Sequence, residues 1–146
     1  MPINGVELSM KIYFGFTMRG DREKLDQTKE FVKMLAAKGH TILTNHVFDS
    51  DFEHRESVFS DEHIFNRDLA WLDEADIVII EASGSSFGIG FEAAYALCSG
   101  KKVYLLYDKN LKNKVSKMAT GNTMKKCAVF AYSSMKDIYD FIEENF

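Results

Sequence analysis

The sequence predicts an α/β domain, doubly wound around a five-stranded parallel sheet, and two observations support this prediction. Short apolar segments rich in β-branched residues alternate with longer segments whose apolar residues recur at helical spacing. The segment 76–82, DIVIIEA, is so uniformly apolar and β-branched that it should form a buried central strand. Strands that alternate with helices imply right-handed crossovers and a parallel sheet covered on both faces.

The first half of the chain contains two of the predicted strands. Residues 10–16 form the first, and residues 21–39 form a helix that Asp21 caps and Gly39 ends. Its helical spacing is carried by Leu25, Thr28, Val32 and Leu35. We expect the second strand at residues 40–47, followed by a long polar loop at residues 48–59.

The second half continues the alternation. Ser60 begins a helix that leads into the central strand, and a turn of serines and glycines then opens onto an alanine-rich helix. The remaining predicted elements are a strand at 101–108, a polar segment with a short helix at 109–122, a strand at 127–132 and a closing amphipathic helix at 134–146.

Length and composition favour one domain that spans residues 1–146. With 46% hydrophobic residues the chain can build a single sizeable core, and it contains no repeat or linker. The formal net charge of −4 argues against a nucleic-acid polymer as partner. No apolar run approaches the roughly 20 residues of a membrane span, and the first residues do not resemble a signal peptide. We therefore expect a cytoplasmic protein without a membrane partner.

A doubly wound sheet of this Rossmann-like or flavodoxin-like kind binds ligands beyond the carboxyl ends of its strands. After the first strand, Thr17 offers a hydroxyl, and Arg19 offers a planar guanidinium that suits a phosphate or could equally pair with nearby acids. After the second strand, His46 faces the same rim and could hydrogen-bond a ligand.

The glycine-rich turn after the central strand allows two interpretations. Residues 88–93, GIGFEA, fit a dinucleotide-binding pattern, with Asp108 as the ribose-binding acid, but that motif normally follows the first strand. Alternatively, Gly88 and Gly90 permit close backbone approach while Ser85 or Ser86 and the free helix amides hold a phosphate or a sugar hydroxyl.

Two carboxylates are candidates for the chemistry. Glu92 lies one turn into the helix, where the helix dipole should lower its pKa and keep it anionic, either as a nucleophile or as a surface charge that complements the dipole. Asp68 lies at the edge of an apolar helix face, where partial burial would raise its pKa and suit it as an acid.

Three segments together resemble a known family: YFGFTMRG at 13–20, NRDLAWLDEADIVIIEAS at 66–83 and SSFGIGFEAAYAL at 85–97. They are similar to the nucleoside 2-deoxyribosyltransferase superfamily, and within it to the 2′-deoxynucleoside 5′-monophosphate N-glycosidases (Rcl-like hydrolases). The resemblance runs from about Lys11 to Tyr107, with a weaker match at residues 114–121. Its most specific part is DLxWLxxAD followed, after the buried strand, by SxGxGxE.

The resemblance implies a role for each matching residue. Glu92 would attack the anomeric carbon, Asp68 would assist departure of the base, and Tyr13 would position the nucleophile. The residues implied in substrate binding are Phe16, Thr17, Arg19, Ser86, Gly88, Gly90, Ser116 and Met118, with Ser116 supplied by the neighbouring subunit. Phe16 and Thr17 depart from the mammalian-type pattern, which has a small residue and a serine at these positions.

The implied protein is a homodimer with shared active sites that uses no metal or redox cofactor. It would release a free base and a sugar 5-phosphate from a nucleoside monophosphate through a covalent glutamyl-sugar intermediate. The alternatives are a deoxyribosyltransferase that exchanges bases, a glycosidase of cytidine monophosphates, towards which Phe16 points, and a non-catalytic nucleotide-binding module.

Overall fold

The computed structural model describes residues 8–17 and 22–146 and contains an all-parallel five-stranded sheet. The strands are β1 (Lys11–Phe16), β2 (Thr41–Ile42), β3 (Ile77–Glu81), β4 (Lys102–Asp108) and β5 (Cys127–Tyr132). Their spatial order is β2-β1-β3-β4-β5. This is the flavodoxin-like order of a doubly wound sheet, so the predicted fold class is confirmed.

Helices cover both faces of the sheet. They are α1 (Arg22–Ala37), α2 (Phe52–Glu56), α3 (Asp61–Glu74), α4 (Phe87–Cys98), α5 (Lys117–Thr120) and α6 (Met135–Asn145). On one face α1 and α6 pack on alternate strand residues such as Ile12 and Ile79, and on the other face α3 and α4 pack on Val78 and Ile80. No helix in the described part of the chain is long and apolar enough to cross a membrane.

The switch point of the winding lies between β1 and β3. These strands pair in register from Ile12 with Ile77 to Phe16 with Glu81, so both end at the same level. The chain leaves β1 towards β2 on one side and returns to β3 on the other. The residues that follow β1 and β3 therefore border the crevice in which such folds bind ligands.

The second strand differs from its prediction. It spans two residues instead of residues 40–47, and a 3₁₀ turn at Asn45–Phe48 follows it. The cause is Thr44, whose hydroxyl accepts a hydrogen bond from Phe14 N at 3.1 Å and donates one to Phe14 O at 2.8 Å. The Thr44 side chain thus takes the place of the backbone hydrogen bonds that would continue β2 along β1. The predicted loop at residues 48–59 also contains a short helix, α2.

The predicted start of the next helix is confirmed. Ser60 precedes α3, and its hydroxyl accepts a hydrogen bond from His63 N at 3.1 Å. This cap defines the start of α3. The helix then runs without interruption to Glu74, so its residues keep one orientation towards the sheet. This orientation leaves Leu72 buried and Asp68, in the middle of the helix, half-buried beside the crevice.

Candidate active site

A cavity of about 480 Å³ opens at the switch point. It lies between the end of β1, helix α2 and the facing sides of α3 and α4. The residues that matter for its chemistry are Tyr13, Gly15, Phe16, Glu56, Arg67, Asp68 and Glu92. The structure therefore places the three residues predicted to be catalytic, Tyr13, Asp68 and Glu92, around one space.

Glu92 reaches from α4 to the backbone of β1 and depends on a glycine there. A Cβ atom at Gly15 would lie 2.6 Å from Glu92 Oε2 and 2.7 Å from Ile80 Cδ1, closer than real Cβ contacts allow. Only glycine leaves room for the carboxylate in this position. Sequence reasoning missed Gly15, although a glycine inside a buried strand is itself a sign of close approach.

Burial raises the pKa of Glu92 to about 7. The interaction with the Tyr13 hydroxyl lowers the pKa of this carboxyl, and the nearby charge of Asp68 raises it further. Within residues 8–17 and 22–146, no hydrogen-bond partner exists for the buried Oε2 atom. The prediction of a lowered pKa is wrong, because Glu92 is the sixth residue of α4, beyond the first turn in which the dipole acts.

Tyr13 supplies a neutral hydroxyl beside Glu92. Its side chain is 2% exposed, and burial together with the charges of Glu92 and Asp68 raises the pKa of the phenol far above its ordinary value. The hydroxyl therefore keeps its proton at every physiological pH and can donate to the carboxylate. This agrees with the predicted positioning role, which stays a prediction.

Asp68 is half-buried, and burial raises its pKa as predicted. Hydrogen bonds from Arg67 oppose this rise: Nε lies 3.0 Å and Nη2 2.8 Å from Asp68 Oδ1. The site therefore contains two carboxyl groups with raised pKa values, each held by a different neighbour. Perturbed pKa values of this kind are common at functional sites.

Arg67 also links the site to α2, a connection that sequence reasoning missed. Its Nη1 atom donates to Glu56 Oε1 at 2.6 Å, and its guanidinium lies 4.7 Å from the centre of the Trp71 ring. His46 Nε2 lies 3.3 Å from the same Glu56 oxygen. His46 thus lies behind Glu56 and lines a neighbouring cavity. It was predicted to contact a ligand at the rim of the sheet, but it does not line the cavity that contains Glu92.

Two of the predicted phosphate ligands, Thr17 and Ser86, contact the turn between β3 and α4 or lie in it. Thr17 Oγ1 donates to Gly84 O at 3.1 Å, and Ser86 caps α4 by accepting from Ile89 N at 3.3 Å. Arg19, the third predicted ligand, lies outside the described residues. Two hydroxyl groups and the free amides of a twelve-residue helix therefore meet at this turn. Their role in binding stays a prediction.

Phe16 forms part of the apolar wall of the cavity. Its ring stacks on Phe48 with a centroid distance of 4.9 Å and an interplanar angle of 10°. Phe52 and Val47 extend this wall. Phe16 therefore lines the same cavity as the catalytic candidates, and its predicted role in substrate binding stays a prediction.

The other predicted binding residues lie away from this cavity. Gly90, Ser116 and Met118 line a separate, largely apolar cavity of about 260 Å³ behind α4. Gly88 borders a third cavity of about 360 Å³ that also contacts Asp68 and Glu92. A Cβ atom at Gly88 or Gly90 would meet nothing within 4 Å, so the packing of this chain does not require either glycine.

Asp108 is engaged inside the chain and not directed at a ligand. Its carboxylate forms an ion pair with Lys24 and accepts from Asn110 N at 2.9 Å. The glycine motif follows the third strand in the chain and not the first, so neither half of the dinucleotide pattern has its usual context. Among residues 8–17 and 22–146, no three acidic, histidine or cysteine side chains form a group that could hold a metal ion.

Fold and site together define a flavodoxin-like α/β protein with two neighbouring carboxyl groups and a tyrosine at its switch point. Residues 12–136 match the family model described as Nucleoside 2-deoxyribosyltransferase, and the chain belongs to this family. The resemblance found in the three sequence segments is therefore confirmed.

Two relatives cover nearly the whole chain. A protein of Thermofilum pendens, which carries the provisional name 2′-deoxynucleoside 5′-phosphate N-hydrolase 1, is 36% identical over 92% of this chain and 93% of its own length. The 5-hydroxymethyl-dUMP N-hydrolase of Mus musculus is 32% identical over 99% of this chain and 79% of its own length.

A solved structure has the same fold. The CMP N-glycosidase BcmB of Clostridium botulinum superposes with a TM-score of 0.69 over 93% of this chain and 99% of that chain. Its sequence identity is 17%, so this similarity concerns the fold.

Proposed function

We propose that this protein hydrolyses the N-glycosidic bond of nucleoside 5′-monophosphates, with deoxynucleotides as the leading candidates. The observation that carries the proposal is the convergence of Glu92, Asp68 and Tyr13 on one cavity at the switch point. The relatives named above as N-hydrolases support the same reaction, and their names differ in whether they specify a base.

In this proposal Glu92 is the nucleophile, and Asp68 is first the acid and then the base. Cleavage builds positive charge on the sugar, so an oxygen of Glu92 bonds to the anomeric carbon while the bond to the base nitrogen breaks. The electron pair leaves with the base, which takes a proton from Asp68. Water then bonds to the anomeric carbon, gives its proton to Asp68 and releases Glu92 as a carboxylate. The raised pKa of Asp68 favours its role as proton donor.

The 5′-phosphate is assigned to the turn between β3 and α4. Thr17 and Ser86 present hydroxyl groups there, and the first amides of α4 provide partial positive charge. Arg19 supplies the formal charge in this proposal, on the basis of sequence alone. A phosphate held at this turn would place the sugar between the turn and the carboxyl pair.

The first experiment incubates the protein with ribo- and deoxyribonucleoside monophosphates and the corresponding nucleosides, each with and without a second free base. We expect free base and sugar 5-phosphate from monophosphates, detected by chromatography. A swapped nucleoside formed from unphosphorylated substrates would make the protein a transferase. Binding without any base release would instead favour a non-catalytic nucleotide-binding module.

A second copy of the chain is proposed to cover an aromatic strip formed by Phe65, Phe87 and Phe91. Phe87 is 89% exposed and Phe65 50%, and Glu92 is the only charged residue of α4. Apolar helix faces of this kind are normally buried. The strip borders the cavity that contacts both Asp68 and Glu92, so a two-fold partner would close that cavity against water.

Phe65→Glu is expected to convert a dimer to a monomer, because a two-fold contact would bring two new charges into one apolar interface. Analytical ultracentrifugation over a range of protein concentrations measures the mass. Tyr139→Glu is the matched control, since Tyr139 is similarly exposed but lies on α6, across the sheet. A wild-type protein that stays monomeric at high concentration would exclude this interface.

A further inference from the structure

We propose that Glu56 selects the base by accepting a hydrogen bond from an exocyclic amine. The chain would then favour cytosine- or adenine-type bases over bases that carry a carbonyl oxygen at the same position. This inference rests on the function proposed above, because it assigns one subsite of the same cavity. It concerns specificity and not the cleavage step.

The two oxygens of Glu56 have different surroundings. Oε1 accepts from Arg67 Nη1 at 2.6 Å and lies 3.3 Å from His46 Nε2. Oε2 is buried and has no hydrogen-bond partner within residues 8–17 and 22–146. A buried acceptor without a partner is costly, so a donor on a ligand that reached it would be strongly favoured. Glu56 lines the cavity with its side chain only 13% exposed.

Arg67 places this carboxylate on the base side of the cavity. One guanidinium donates to Asp68 Oδ1 through Nε and Nη2 and to Glu56 through Nη1. Asp68 has to reach the departing base to protonate it. A base within reach of Asp68 therefore presents its edge towards Glu56, with Phe16 on the apolar wall of the same cavity.

The chemistry of Oε2 then discriminates between bases. A carboxylate oxygen can only accept, so it matches the amino group of cytosine or adenine. The carbonyl oxygen of uracil, thymine or hypoxanthine would face it with another acceptor. Since Oε1 is already occupied by Arg67 and His46, the site offers one acceptor and does not match the paired donors of guanine.

Glu56→Gln tests the inference by changing the free atom from acceptor to donor. Arg67 can only donate, so the glutamine oxygen keeps that contact and the amide nitrogen takes the place of Oε2. We expect the ratio of kcat/KM for deoxycytidine over deoxyuridine monophosphate to fall by about 10- to 100-fold. The ratio of kcat/KM for deoxyadenosine over deoxyinosine monophosphate should also fall.

Two further variants control for charge and folding. Glu62→Gln removes the same charge from an exposed position on α3 that lines none of the cavities of about 480, 260 and 360 Å³. The ratio of kcat/KM for the two substrates should match that of the wild type. Glu56→Asp keeps an acceptor, so it should lower activity and retain the preference for amine-bearing bases. Each ratio compares two substrates on one preparation, which cancels differences in the folded fraction.

The outcomes separate this inference from the proposed function. If the wild type releases no base from any ribo- or deoxyribonucleoside monophosphate, the proposed function fails, and this inference with it. If it releases bases only from nucleotides other than these four, only this inference is overturned. If it releases bases but prefers carbonyl-bearing ones, or if Glu56→Gln lowers all four rates equally, Glu56 is a structural residue and only this inference is overturned.

Discussion

Glu92→Gln is expected to abolish base release and at the same time to make the protein more stable at neutral and alkaline pH. The amide cannot bond to the anomeric carbon, so we expect kcat to fall by about 10³-fold or more. The gain in stability has a separate cause. In the wild type, burial raises the pKa of Glu92 to about 7, so ionisation of this group opposes folding.

The sign of the pH dependence follows from proton binding. Between about pH 4.5 and pH 7 the folded state holds a proton on Glu92 that the unfolded state has lost. The free energy of unfolding of the wild type therefore falls as pH rises through this window. Glutamine has no such proton, so the variant should exceed the wild type by on the order of 3 kcal/mol at pH 8 and by little at pH 4.

Urea unfolding of both proteins at pH 4 and pH 8 measures this difference directly. Two titrations should govern activity: ionisation of Glu92, the nucleophile, favours an increase in kcat/KM towards about pH 7, and loss of the proton from Asp68, the acid, opposes it. Glu62→Gln, at an exposed position in the first turn of α3, should not raise stability at pH 8 and should leave the pH profile of kcat/KM unchanged. An equal stability difference at both pH values would mean that Glu92 is not a buried group that titrates between pH 4 and pH 8.

Local chemistry explains which parts of the fold could be predicted from sequence. Ser60 starts its helix as its position before an apolar periodic segment suggested, and β3 is central because its apolar residues require burial on both faces. The strand-end rule indicated the turn that leads to Glu92, whereas Asp68 lies in the middle of α3 and was assigned to the same site through the resemblance of its segment to the family.

Tertiary contacts explain what could not be predicted. Strand β2 stops early because Thr44 bonds to the backbone of a strand thirty residues away. The pKa of Glu92 depends on its burial against Gly15 and Tyr13, which no helix-dipole argument contains. The link from Arg67 to Glu56 joins two elements across a segment without clear periodicity, so no spacing rule indicated it.

Gly15→Ala is expected to reduce kcat by about 10²-fold through the position of Glu92 alone. Gly15 lies inside β1 and has no positive φ, so alanine is compatible with its backbone. The added Cβ atom, however, would lie 2.6 Å from Glu92 Oε2 and 2.7 Å from Ile80 Cδ1. Displacement of a catalytic group by about 1 Å typically costs this much in rate. Steady-state kinetics on the preferred monophosphate measures it.

The same substitution should also lower stability by about 1–3 kcal/mol, because Ile80 is 1% exposed and cannot turn towards solvent. Ile80→Val separates the two effects, since it removes the Cδ1 atom and leaves Glu92 untouched. In the double variant we expect a loss of stability that is smaller than the sum of the losses in the two single variants, because the clash with Cδ1 is gone. We expect kcat to stay low. If activity returned together with stability, the Gly15 contact would act through core packing and not through the carboxylate. A kcat that stays low in the double variant, although its stability has recovered, would identify Gly15 as the residue that makes room for the nucleophile.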